Sequence, residues 1–62
     1  LGDRHGEGTA WNNLGNALRA LRRFDDAARA WGEAVAAYDD AGDGELAAQL
    51  REWLGKFDTD GS

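Results

Sequence analysis

Cysteine, proline and methionine are all absent from this 62-residue chain. Without cysteine there is no disulfide framework and no thiolate metal site to brace so small a domain. Without proline the strongest helix breaker is missing, and the abundant alanine is the best helix former, so an all-α chain is expected before any pattern is read. Basic charge is scarce as well: 7 Lys and Arg stand against 12 Asp and Glu, a formal net charge of −5. That balance argues against nucleic acid, whose phosphates need a basic stripe, and equally against an anionic membrane surface. No apolar run approaches the roughly 20 residues of a membrane-spanning helix, and no charged-then-apolar signal opens the chain. The expectation is a cytoplasmic protein without nucleic-acid or membrane partners. A start at Leu1 with no methionine anywhere points to a piece of a longer polypeptide, and six arginines to one lysine is a bias of GC-rich bacterial genomes.

The inventory for catalysis is equally thin. A single histidine and no cysteine cannot build a Cys/His pair or a multi-histidine metal site, and Ser62 in a polar tail is no nucleophile. His5 reads as a surface histidine. The run Asp39-Asp40-Ala41-Gly42-Asp43-Gly44 has the look of a calcium loop, but Ala41 replaces an oxygen ligand and Leu50 replaces the closing glutamate. Arg19, Arg22 and Arg23 form the basic cluster of the chain and read as a solvated turn. No enzyme, no cofactor and no metal is expected.

What the chain does have is three tryptophans, two phenylalanines and one tyrosine, placed at helical spacing. A core this small supplies about 3–5 kcal/mol of net stability, so the aromatics must carry an unusual share of it. Trp11, Leu14, Gly15 and Leu18, followed by Ala27, Trp31 and Ala34, resemble the signature of the tetratricopeptide repeat, a helix-turn-helix unit. Compared with itself at an offset of 40, the chain repeats Gly2-Asp3 as Gly42-Asp43 and Leu14-Gly15 as Leu54-Gly55, with Ala10 matched by Leu50 and Ala17 by Phe57. The resemblance covers residues 2–55 and amounts to one full repeat plus one additional helix, in a longer, roughly 40-residue bacterial-type form.

The expected architecture is an antiparallel helical pair with a third capping helix: a single unit over residues 1–57, with helices at about 4–21, 24–41 and 44–57, and a disordered tail at 58–62. Asp3 should cap the first helix, and Gly42 should supply the left-handed residue that ends the second, with Asp43 capping the third. Asp25 and Asp26 open the second helix, within reach of Arg29. The first helix should bury Ala10, Trp11, Leu14, Ala17, Leu18 and Leu21; the second, Phe24, Ala27, Ala28, Trp31, Ala34, Val35 and Tyr38. In the resembled fold Gly15 faces the level of Ala27 and Ala34, where a larger residue would overpack the crossing.

Two positions depart from the family pattern. Arg22 stands where the family usually has glycine, and Asp39 where it often has proline. The apolar phase then runs unbroken from Ala10 to Tyr38 at steps of four and three, so an alternative is open in which the first two helices fuse into one long helix of a domain-swapped dimer. Open apolar faces on a lone repeat also favour a homo-oligomer.

The resemblance implies a protein-protein interaction scaffold, in a larger regulatory protein, whose concave face receives a peptide or protein segment. Carried over by position, that face is Thr9, Asn12, Asn16 and Arg19 with Asn13 at its edge, extended on the third helix by Gln49, Glu52 and Lys56. Asparagine forms helices poorly, so three in five residues suggests a task, and its amide both donates to and accepts from a peptide backbone. The alternative function is self-association, with the chain's own copy as its partner.

Overall fold

The computed structural model describes the backbone of residues 3–61 and the side chains of residues 3–56. Three helices follow one another, α1 (Arg4–Ala20), α2 (Phe24–Asp40) and α3 (Gly44–Gly61), with no strand among the described residues. Each helix starts 20 residues after the last, at 4, 24 and 44, which is half of the 40-residue offset visible in the sequence. The third helix continues in backbone beyond its expected end at Phe57. Of the expected tail, Ser62 and the side chains from residue 57 onward lie outside the described residues.

Both turns are built alike, and their hydrogen bonds give the reason. After α1 the Arg22 N–H donates to the Arg19 carbonyl and the Arg23 N–H to the Leu18 carbonyl, both at 2.9 Å. After α2 the Gly42 N–H donates to the Asp39 carbonyl at 3.1 Å and the Asp43 N–H to the Tyr38 carbonyl at 2.8 Å. This double closure needs a left-handed residue at its centre. Gly42 takes it at φ 82°, as the sequence suggests, and Arg22 takes it at φ 63° without being glycine. The first two helices therefore form a hairpin and not the fused helix that their unbroken apolar phase also allowed. Arg22 occupies the glycine conformation at the steric cost its Cβ imposes, about 1–2 kcal/mol.

Asp3 caps α1, its carboxylate accepting from the Gly6 N–H at 3.0 Å. Helix α2 opens at Arg23 without a side-chain cap, and Arg23 instead holds Asp26 at 2.7 Å. Asp26 thus pairs with Arg23 and not with the Arg29 one turn ahead. The acidic C-terminus of α2, unfavourable against the helix dipole, is met by cations from both neighbours. Arg4 of α1 reaches Asp40 at 3.0 Å, Arg51 of α3 reaches Asp39 at 2.9 Å, and His5 of α1 pairs with Asp43. Asp39 thereby ties α3 to α2.

Helix α2 lies at the centre and is covered along a broad stripe: Ala27, Ala30, Trp31, Ala34, Ala37 and Tyr38 are all buried. Trp31 is the large side chain that is fully buried. Two glycines of α1 make its place. A Cβ on Gly15 would fall against Nε1 of the Trp31 indole and 2.5 Å from Cδ1, and a Cβ on Gly8 would fall 2.7 Å from two carbons of the Tyr38 ring. Gly15 therefore faces Trp31, which lies between Ala27 and Ala34 at the level expected of it. The residue numbers of each facing pair add to 46 (8 with 38, 15 with 31), the mark of an antiparallel register.

The apolar stripe expected of α1 splits in two. Trp11 and Leu18 pack partly buried against the core beside Gly8 and Gly15, whereas Leu14 is 45 % exposed, Leu21 68 % and Phe24, opening α2, 48 %; Ala10 and Ala17 are exposed too. The outward residues lie beyond the arc that α2 covers. Helix α3 packs on the other flank of α2 through Ala47, Leu50 and Leu54.

Five substitutions follow from this geometry. Arg22→Gly relieves the left-handed strain and should raise the unfolding free energy by about 1 kcal/mol, near 4–8 °C in Tm, while Gly42→Ala lowers it by a similar amount. Gly15→Ala adds a methyl group where the indole already sits and should destabilise by about 1–3 kcal/mol, Gly15→Leu by more, despite better helix propensity. Gly32 has nothing within 4 Å of its missing Cβ, so Gly32→Ala should stabilise by up to about 1 kcal/mol. Urea denaturation monitored by circular dichroism reads all five.

Candidate functional site

Because α1 and α3 both rest on α2 and run the same way, a groove opens between them with α2 as its floor. Asn12 forms one wall. Leu46, Gln49 and Trp53 form the other, Tyr38 and Leu50 lie below, and the volume is about 230 Å³. The repeated spacing puts these residues there: on α1 the positions facing α3 recur every seven residues, at His5, Asn12 and Arg19. Each of the three points at a partner level on α3 or its cap. His5 meets Asp43, Asn12 shares the groove with Gln49, and the Arg19 guanidinium lies 5.8 Å from the centre of the Trp53 ring.

The expected face is thus brought together in part. Asn12 and Gln49 stand in the groove, and Arg19 lies over the Trp53 indole that lines it. Thr9 is engaged beneath it: its hydroxyl donates to the His5 carbonyl at 3.2 Å and lies 3.3 Å from the Tyr38 hydroxyl, which is then left to donate to Thr9. Asn13, Asn16, Glu52 and Lys56 are exposed and line no part of the groove. Leu46 and Trp53 were absent from the sequence-level site. Their spacing with Leu50 and Gln49 marks one helical face, but only the placement of α1 shows which half of that face is left open.

Trp53 joins the groove to the core. Its ring meets Trp31 edge to face, at 5.7 Å between centroids and 74° between planes. That is a favourable aromatic geometry. The exposed indole is thus held by the buried one, and Arg19 approaches it from α1 as a cation–π pair. The result is an aromatic wall that carries the Gln49 amide, with a cation beside it and the Asn12 amide opposite, in a chain whose overall charge is negative.

Neither a protein-family model nor a curated protein nor a solved structure matches this chain. Its function must therefore be argued from this geometry. Among the described residues no group of three or more His, Asp or Glu side chains could hold a metal ion, and Asp39, Asp40 and Asp43 of the would-be calcium loop are each engaged by a cation. No helix of the described residues is long and apolar enough to cross a membrane.

His5 stands seven residues before Asn12 on α1 and meets Asp43 ahead of α3. Its hydrogen bond to Asp43, then the charge of that carboxylate, hold its pKa above the ordinary 6.5 against an opposing effect of desolvation, with the charge of Asp3 adding least. Its ring also leans on Tyr38 at 5.7 Å. A folded-state pKa raised in this way makes the protonated form the stabilising one. The contribution is whole below the unfolded value and is lost as pH rises through the folded value. Stability should consequently fall across the range just above pH 6.5, and His5→Gln should flatten that part of the profile; urea midpoints taken at a series of pH values check it.

Proposed function

We propose that this chain is a tetratricopeptide-like protein-interaction scaffold, part of a larger regulatory protein, and that the groove between α1 and α3 receives a peptide or protein segment. The observation that carries the reading is the pairing of Asn12 with Gln49 across a groove walled by Leu46 and Trp53. Amides on both sides suit a peptide backbone, because each offers a donor and an acceptor and neither demands a particular side chain. The apolar wall suits one apolar side chain of the ligand, and Arg19 beside it suits a carboxylate. This is the division of labour of a binding surface, and it needs no reacting group. The likeness of Trp11, Gly15, Leu18, Ala27 and Trp31 to the repeat signature supports the same reading, as does the shared arrangement of two parallel helices on a common third. We place the parent protein in a bacterial cytoplasm on composition alone.

A library of short random peptides panned against the immobilised chain tests the proposal. Peptides recovered should be rich in an apolar residue next to Asp or Glu. The double variant Asn12→Ala/Gln49→Ala should bind them about ten- to a hundredfold more weakly, at roughly tenfold per lost hydrogen-bonding amide, with an unchanged melting curve. Asn16→Ala, outside the groove but on the expected face, should weaken longer ligands alone. Binding and melting that fall together in the double variant would show that the amides are structural and remove the proposal.

A further inference from the structure

The flank of the hairpin away from α3 carries a second cleft, larger than the first. Trp11, Leu14 and Leu18 of α1 and Ala30 of α2 line it, with Asp26, Arg29 and Glu33 on its rim, and its volume is about 320 Å³. No residue of α3 contributes to it. The internal repeat identifies the kind of surface this is. Forty residues on, Leu50 and Leu54 stand in place of Ala10 and Leu14, and both are packed against α2. On α1 the same register is exposed, a helix-docking stripe with no helix on it.

The rim charges indicate what covers it. Arg29 and Glu33 lie one turn apart on α2, and among the described residues neither joins an ion pair, whereas Asp26 is already held by Arg23. A partner of one sign would be drawn to one of these two charges and repelled by the other. A second copy related by a two-fold axis meets both at once, since it sets Arg29 against Glu33 and Glu33 against Arg29. We infer that this cleft is a homodimer interface, in which α1 and α2 of two copies pack as an antiparallel four-helix arrangement. Leu14 of each copy enters the cleft of the other between Trp11 and Leu18, and the two Arg29–Glu33 pairs set the register at the rim. The groove between α1 and α3 stays open on the far side, so the dimer presents two of them, and the interface stands or falls independently of what that groove binds.

Sedimentation equilibrium over a wide concentration range decides the matter. The chain should be a reversible dimer, and Leu14→Glu should be a monomer of unchanged helicity, since Leu14 contributes little to the core. Arg29→Glu and Glu33→Arg should each raise the dissociation constant at least about tenfold by setting like charges together. An equimolar mixture of those two variants should regain the original affinity, because each then supplies the sign the other lacks. A monomer at all concentrations would overturn the inference and leave the cleft to a different helix. So would a dimer indifferent to Leu14→Glu, or one abolished by Arg22→Gly, which would be a dimer exchanged through a fused first and second helix.

Discussion

The structure depends on two glycines meeting two aromatic rings. Gly8 lies against Tyr38 and Gly15 against Trp31, each so closely that a single added carbon would collide with the ring. Glycine in mid-helix costs about 1 kcal/mol relative to alanine. Here each glycine opens a hole that the helix opposite fills with its largest side chain. Two such holes seven residues apart determine one register, and a one-residue slide of α1 would drive both rings into backbone. Close packing at this crossing is what allows a core built mainly of alanine to hold, because alanines alone offer too little shape to select one arrangement from several.

Everything at the groove follows from that register. With Trp31 seated on Gly15, its ring lies where Trp53 of α3 meets it in a T-shaped pair. Arg19, four residues beyond Gly15, then reaches the Trp53 ring, and Asn12 comes level with Gln49. At the other end, Tyr38 seated on Gly8 brings His5 over its ring and within reach of Asp43. The ion pairs of Arg4, His5 and Arg51 with Asp40, Asp43 and Asp39 are exposed and individually weak. Their effect is on orientation: they tie α1 and α3 to the acidic terminus of α2.

The helices, the cap at Asp3, the left-handed Gly42 and the buried stripe of α2 were legible in the sequence, because each depends on local chemistry or on a period of 3.6 residues. Gly8 was not found, although it stands seven residues before Gly15 and opposite an aromatic residue in the same register; a search for paired small residues at heptad spacing finds it. The outward position of Leu14, Leu21 and Phe24 was not legible either. An apolar period says that a helix has a face to cover, while the identity of the neighbour that covers it depends on the other helices. The same limit hid Trp53 and Leu46, whose exposure follows from where α1 stops and α3 begins across α2. Arg22 shows a third kind of gap: no glycine stands at this turn, yet the residue there takes the left-handed conformation that closes it.

Proton NMR of the chain tests the central claim most directly. If the rings are seated on the glycines, nuclear Overhauser contacts will join the Gly15 α-protons to the indole of Trp31 and the Gly8 α-protons to the ring of Tyr38, with both glycines shifted by ring currents. Contacts of Gly15 with Ala27 or Ala34 in place of Trp31, or glycine α-protons at unperturbed shifts, would contradict the register and with it the groove between α1 and α3.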